Sequence, residues 1–186
     1  MADSTTASSL RAEASEILSS AGVHLPALEA DRIVCHALQI GRASLHAHPE
    51  RAASPGEASL IRELSHRRAR GEPLAYIMRS SIFLDREFEV DRSTLIPRPE
   101  TEILTMNADR YMKKTRGPGT FADWCTGSGC IAITLASENP LWTAAAVDSS
   151  GEALAVALRN ARRHDVQDRI TFIECADPSE AAKIIR

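Results

Sequence analysis

Chemistry is densest in the run Asp123-Trp124-Cys125-Thr126-Gly127-Ser128-Gly129-Cys130. Two glycines allow a backbone to approach a ligand closely, and a helix beginning behind them presents unpaired N–H groups. At the end of a strand, such a turn is the usual ligand crevice of an open α/β sheet. Asp148 closes the apolar run Ala146-Val147 at the distance, roughly 20 residues on, where an acidic side chain accepts both hydroxyls of a ribose. Asp177 follows a third apolar run and is placed to meet an adenine amino group, while Asp123 offers an acceptor beside the glycines. Singly, a Gly-x-Gly is also a tight turn, and Asp148 or Asp177 also suits a helix N-cap. Three strand ends converging on one point predict an adenosine-containing ligand.

Spacing leaves two ligand classes open. A dinucleotide site extends to Gly-x-Gly-x-x-Gly, and here the last position is Ala132, which variants of that motif accept. Pyrophosphate would sit on the helix N-terminus. The amino and carboxylate groups of a methionine need donors and acceptors together, and Asp123 tilts the choice slightly toward S-adenosylmethionine.

Elsewhere the reactive residue types are sparse. His46-x-His48 has no Cys or carboxylate partner at ligand spacing, so both histidines read as surface residues and no metal is expected. His164 reads as a helix-surface residue; no general base is evident and no catalytic residue is assigned. Cys35, Cys125, Cys130 and Cys175 lack Cys-x-x-Cys spacing and the density of a secreted disulfide scaffold, which points to reduced thiols and a cytoplasmic protein. The formal net charge of -3, with both signs interspersed, gives no field for a polyanion. The basic run Arg67, Arg68, Arg70, beside His66, reads as a solvated helix end. Neither nucleic acid nor membrane is an expected partner, since no stretch approaches the ~20 apolar residues of a span.

The elements that position these groups follow from periodicity. With 44% hydrophobic residues but only 4% aromatics, a core has to be built from Ala, Leu, Ile and Val, which suits helices and thin parallel strands. Leu10, Ala14, Ile17, Leu18 and Ala21 predict a helix from about Ser4 to Ala21. Ala30, Ile33, Val34, Ala37 and Leu38 predict a second after Pro26, with Gly41 as its left-handed stop. Ser54, Pro55 and Glu57 read as N-cap, N1 and N3 of a third, burying Leu60, Ile61 and Leu64. Period-two patterning in Ile82, Leu84, Phe88 and Val90, about an Asp85-Arg86 turn, predicts a hairpin. Two prolines in Ile96-Pro97-Arg98-Pro99-Glu100-Thr101-Glu102 then stiffen the chain before a helix carrying Ile103, Leu104 and Met106. Strands are expected near Thr120 to Trp124, Thr143 to Val147 and Arg169 to Cys175, with helices near Ser128 to Glu138 and Gly151 to His164, hence a parallel sheet.

Together, Gly71-Glu72-Pro73-Leu74-Ala75-Tyr76-Ile77, Leu95-Ile96-Pro97-Arg98-Pro99-Glu100-Thr101-Glu102 and the turn from Asp123 to Cys130 closely resemble the release-factor glutamine methyltransferases, the HemK/PrmC-type family. The Ile-Pro-Arg-Pro-Glu-Thr-Glu string is highly specific, and the resemblance runs from about residue 10 to the end. It implies an α/β protein with a helical domain over 1–74 that docks a release factor and a hairpin linker over 75–98. Residues 99–186 would then form the first half of a Rossmann-like S-adenosylmethionine-dependent methyltransferase domain. The activity implied is N5-methylation of the glutamine in the Gly-Gly-Gln motif of peptide-chain release factors. Carried over residue by residue, Cys125, Thr126, Gly127, Ser128, Gly129 and Asp148 contact the cofactor, and Asp177 stands at the adenine-side acidic position. Pro178 stands where an aromatic residue often packs on the adenine, and Cys125 replaces the glycine most common in the turn.

The Cys-Thr-Gly-Ser-Gly-Cys string is also similar to sister enzymes that methylate a glutamine of a ribosomal protein, an alternative substrate; Arg98-Pro99-Glu100-Thr101 matches the release-factor type better. The family's Asn-Pro-Pro-Tyr, which holds the substrate amide after the fourth strand, is absent; Asn139-Pro140 precedes the second strand and reads as a loop. The expectation is therefore the front portion of a longer enzyme, with little or no methyl transfer and marginal stability of its own. Two other classes remain: a non-catalytic module that docks a release factor or ribosomal component, and a dinucleotide oxidoreductase.

Overall fold

The computed structural model describes residues 5–115, 117–177 and 180. The chain divides into two compact units, Met1–Met78 and Arg79–Arg186.

The first unit is helical: α1 (Ala7–Ser20), α2 (Pro26–Leu38), α3 (Arg42–Ala47), α4 (Pro55–Ala69) and α5 (Leu74–Met78). α1 begins three residues later than its apolar spacing predicts, because Thr6 and Ser9 cap it reciprocally. α4 begins where predicted, with Ser54 and Glu57 exchanging side chain-to-backbone hydrogen bonds. α2 ends at Leu38 rather than at Gly41. Gln39 takes the left-handed conformation, φ 51°, and the N–H of Ile40 reaches back to the Cys35 carbonyl. Gly41 instead starts α3, a helix too short to announce itself by periodicity. Leu10, Leu18, Ile33, Val34, Ile61 and Leu64 fill the core; Leu60, expected inside, is exposed because Ala58 and Ser65 occupy the inward face.

Polar bonds hold the same unit. Asp31, 1% exposed, joins three helices: it accepts from Arg11 of α1 and, through Oδ2, from Arg42 Nε and His46 Nε2 of α3, each at 2.9 Å. Burial would raise its pKa, but hydrogen bonds from Arg11, His46 and Arg42 hold it below the ordinary aspartate range. His46 therefore gains through the fold the carboxylate partner that sequence spacing did not offer. The basic run is solvated in part: His66 and Arg70 are exposed, whereas Arg67 makes a bidentate pair with Glu72, Nε and Nη2 each at 2.8 Å, and Arg68 pairs with Glu29 of α2.

The second unit opens with the hairpin β1 (Ser80–Phe83) and β2 (Arg86–Glu89). Its turn is Leu84-Asp85, both at positive φ, one residue earlier than predicted. The shift puts Phe83, not Ile82, inside with Phe88, the two rings meeting edge to face at 6.1 Å, and leaves Ile82 exposed. The Leu84 N–H donates to Glu102 of α6 (Pro99–Lys114), a 3.0 Å bond that ties the Pro-Glu-Thr-Glu string to the hairpin turn. Ile103, Leu104 and Met106 of α6 are exposed, while Thr105 and Met112 face inward.

Beyond it lie β3 (Gly119–Trp124), α7 (Cys130–Glu138), β4 (Trp142–Asp148), α8 (Gly151–Arg163), a 3₁₀ turn (Gln167–Arg169) and β5 (Ile170–Glu174). The strands form a parallel sheet in the order β3-β4-β5. This is the α/β arrangement with a parallel sheet that the alternating elements predict, and it agrees with the half of a Rossmann-like domain that the resemblance implies. Ala144, Ala146 and Ile170 line one sheet face and pack in one core with Ile133 and Ala136 of α7, Ala161 of α8, and Phe83 and Phe88 of the hairpin. Ala145, Val147 and Ile173 line the other. The alanine run of β4 makes the thin strand against which α7 and α8 settle closely.

Candidate functional site

β3 and β4 pair in register up to Trp124 and Val147, so the turn leaving β3 and Asp148 ending β4 meet at one edge of the sheet. Three of the five residues in the turn from Cys125 to Gly129 have left-handed backbone. Cys125, Gly127 and Gly129 have φ of 57°, 55° and 79°. Gly129 is required twice over: a Cβ there would lie 2.8 Å from Ile133 Cδ1 and 3.1 Å from Ala157 Cβ of α8, besides the unfavourable φ. Around Gly127 a Cβ would meet nothing nearer than the Cys125 carbonyl at 3.9 Å and the Leu95 nitrogen at 4.0 Å, so that side of the turn stays open.

Two aspartates fix the turn from opposite sides. Asp123, 6% exposed, accepts through Oδ2 from Thr126 Oγ1 at 2.6 Å and from the Ala132 N–H in the first turn of α7 at 3.2 Å. Burial raises its pKa above the ordinary range despite these bonds, and the nearby Asp148 charge adds to the rise. Asp148, half-buried, accepts the Gly127 N–H on Oδ2 at 2.9 Å and the Ser150 N–H on Oδ1 at 3.1 Å. The Thr126 N–H completes the clasp by donating to the Val147 carbonyl at 3.0 Å.

The structure thus brings Cys125, Thr126, Gly127, Ser128, Gly129, Asp123 and Asp148 into one constellation. Within it, Asp123, Thr126 and Ser128 are buried and shape the turn, while Cys125 is exposed and Asp148 and Gly127 are half-exposed. Asp177, exposed, follows β5; its carbonyl accepts from the Glu180 N–H at 3.1 Å and from Cys175 Sγ at 3.1 Å. The Cys175 N–H donates to the Asp148 carbonyl at 2.9 Å, which ties the β5 end to the same edge. Pro178 lies outside the described residues. The thiol of Cys130, pushed up to about 12 by burial, is a core group rather than a nucleophile.

Chemically, Asp148 keeps lone pairs on both oxygens for a vicinal diol, since each accepts one N–H and has room for another donor. The Gly127 N–H, which would face a pyrophosphate, is instead given to that carboxylate. No lysine or arginine occurs between Asp123 and Glu138. The turn therefore offers no side-chain cation to a polyphosphate.

Sequence reasoning missed Asn160. It is fully buried on α8, and its amide binds the Glu89 N–H (Oδ1, 2.7 Å), the Glu89 carbonyl (Nδ2, 2.9 Å) and the Ser128 carbonyl (Nδ2, 2.9 Å). The signal was present: an asparagine interrupting the apolar stripe Ala153, Val156, Ala157, Ala161. His164, expected on the surface, is half-buried: its ring lies tilted at 40° against Phe88 with centroids 4.9 Å apart, and its Nε2 lies 2.9 Å from the Glu87 carbonyl. Among the described residues there is no group of three or more His, Cys, Asp or Glu suited to a metal ion, and no helix long and apolar enough to cross a membrane.

Residues 9–78 match the model of the PrmC N-terminal domain. The chain is 45% identical over 168 residues to a release factor glutamine methyltransferase of Nitratidesulfovibrio vulgaris, covering 90% of this chain and 56% of that protein. It is 38% identical over 156 residues to one of Chlorobaculum tepidum, covering 80% and 52%. A bifunctional methyltransferase of Rickettsia bellii is 33% identical over 177 residues, 82% of this chain and 32% of that one. The chain spans about half the length of the release factor methyltransferases it matches. Among solved structures, YjhP of Escherichia coli covers 41% of this chain at 29% identity with a TM-score of 0.35, a likeness too slight to bear on the fold.

Proposed function

We propose, from the chain's similarity to release factor glutamine methyltransferases and from the geometry of the turn, that it is the front part of such an enzyme and that its second unit holds S-adenosylmethionine. The observation that carries the reading is the Asp148 carboxylate, anchored by the Gly127 and Ser150 N–H groups at the mouth of the glycine turn. Those two bonds fix the carboxylate so that its free lone pairs receive the ribose hydroxyls. Asp177 beyond β5 takes the adenine edge. Asp123 and Thr126 act by holding the turn, and the open left-handed backbone at Gly127 admits the methionine portion. Bound there, S-adenosylmethionine supplies a methyl group on a positively charged sulfur.

For the whole protein we propose N5-methylation of the glutamine in the Gly-Gly-Gln motif of a peptide-chain release factor, in the cytoplasm, with the helical unit, which runs to Met78 rather than ending at the expected residue 74, docking the substrate. An amide nitrogen is a poor nucleophile, so the work required is orientation of its lone pair toward the methyl carbon. No residue described here is assigned to that amide.

Calorimetric titration with S-adenosylmethionine tests the cofactor reading. Wild type is expected to bind, Asp148→Ala to bind about 100-fold more weakly because hydrogen bonds to a charged acceptor are lost, and NADH not to bind. A folded wild type that ignores S-adenosylmethionine, or an Asp148→Ala variant of unchanged affinity, removes the proposal.

A further inference from the structure

Asn160 lies away from the open side of the glycine turn, yet it is the one side chain seen to bond both the turn and the hairpin among the described residues. Its carboxamide oxygen takes the Glu89 N–H of β2, and its NH₂ group spreads two hydrogens over the carbonyls of Glu89 and Ser128. No polar atom of the amide is left over, and the residue is 0% exposed. Ser128 is itself buried and sits between the two left-handed glycines. A displacement of the turn therefore pulls on β2 through one rigid planar group.

We propose that Asn160 is a positioning residue that locks the cofactor turn to the β-hairpin, so that occupancy of the turn and order of the hairpin strand rise and fall together. The inference rests on the cofactor reading above. A neighbouring residue supplies the control. Arg159, the adjacent residue of α8, grips the same strand through its ion pair with the Glu89 carboxylate, Nη2 to Oε1 at 2.9 Å, and among the described residues is seen to make no bond to the turn. Loosening the strand through Arg159 is thus separable from loosening the strand and the turn through Asn160. Asn160→Asp sharpens the contrast, because it keeps the size of the side chain and an acceptor for the Glu89 N–H but replaces the donor facing two carbonyls with an oxygen.

The test is amide hydrogen exchange and calorimetry on this chain, with and without S-adenosylmethionine. In wild type the ligand is expected to slow exchange of the Gly129 and Glu89 amides together. Asn160→Asp and Asn160→Ala are expected to weaken binding about tenfold, the cost of a lost buried hydrogen bond, and to uncouple the Glu89 amide from the ligand. Arg159→Ala is expected to speed Glu89 exchange while leaving affinity within about twofold. Ligand protection of the turn that leaves the wild-type Glu89 amide unchanged overturns the proposal, as does an Asn160→Asp variant with wild-type affinity. If folded wild type binds no S-adenosylmethionine, the cofactor reading fails instead. The lock is then judged without ligand: Asn160→Asp must speed Gly129 exchange and Arg159→Ala must not, and equal effects sink it.

Discussion

Each unit buries one aspartate at the heart of its polar bonding, and the two carboxylates are pushed in opposite directions. Asp31 is surrounded by Arg11, Arg42 and His46, so the ionised form prevails over burial and its pKa falls. Asp123 meets only a hydroxyl and a backbone N–H, with the Asp148 charge nearby, so burial prevails and its pKa rises. Low exposure alone thus marks neither site as functional. What separates them is the partner: cations neutralise Asp31 into a structural joint, whereas Asp123 holds a backbone turn through neutral donors beside a second acid that faces outward.

The sharpest break in the comparison comes from removing the turn that Asp123 serves. Gly129→Ala places a Cβ 2.8 Å from Ile133 and 3.1 Å from Ala157 on a residue with φ 79°. Overpacking and the left-handed penalty together are expected to cost about 2–4 kcal/mol, seen as a lower melting temperature of the second unit and loss of S-adenosylmethionine binding. A variant that melts like wild type and binds normally would show that the turn tolerates movement and that its two aspartates do not define it.

The aspartates themselves give the next effect. Asp31→Asn leaves two arginines facing a neutral group and is expected to destabilise the first unit by about 2–3 kcal/mol at neutral pH, somewhat less than stripping a fully buried pair because Arg42 can reach water. Asp123→Asn keeps an acceptor for Thr126 and Ala132 and relieves a buried charge, so its cost is expected to stay below about 1 kcal/mol. The pH dependences run oppositely. The lowered pKa of Asp31 means its stabilisation is present above the ordinary value of about 4 and is lost as pH falls through the lower folded value. The raised pKa of Asp123 means its contribution is fully present below about 4 and is lost as pH rises through the higher folded value. Urea melts of both variants against wild type across this range should show differences of opposite slope; parallel slopes would contradict the assignment of partners.

These two sites were not equally legible in sequence. The turn was, because Gly-x-Gly between an apolar run and a helix is a local pattern, and Asp148 and Asp177 fall at strand ends that the same alternation locates. Asp31 was not, since Arg11, Arg42 and His46 are brought to it from separate helices and nothing near Asp31 in the chain foretells them. Asn160 stands between these cases: its place in an apolar stripe is visible, but its partners, Glu89 and Ser128, are reached only by folding. The hairpin shows how local chemistry misleads by one residue. Leu84 takes a left-handed conformation that suits it poorly, and the Leu84 N–H bond to Glu102 with the burial of Phe83 outweighs that preference.

The smallest expected effects use a conformation the two units share. Gln39, which stops α2, and Cys125, which opens the turn, have φ of 51° and 57°, a region that disfavours side chains by roughly 1 kcal/mol. Gln39→Gly relieves that strain at a helix end where glycine is the common residue, at the cost of a more flexible unfolded chain, for a net gain of about 0.5 kcal/mol and no change in ligand affinity. Cys125→Gly relieves the same strain and is expected to give a similar gain in stability. It is also expected to alter ligand affinity, because the residue that opens the turn is exposed and loses its side chain. Paired melting and titration curves therefore separate the two residues along the line that separates the aspartates. If Cys125→Gly shifts only the melt, the thiol lies outside the ligand's reach and the bound molecule occupies the Asp148 side of the turn alone.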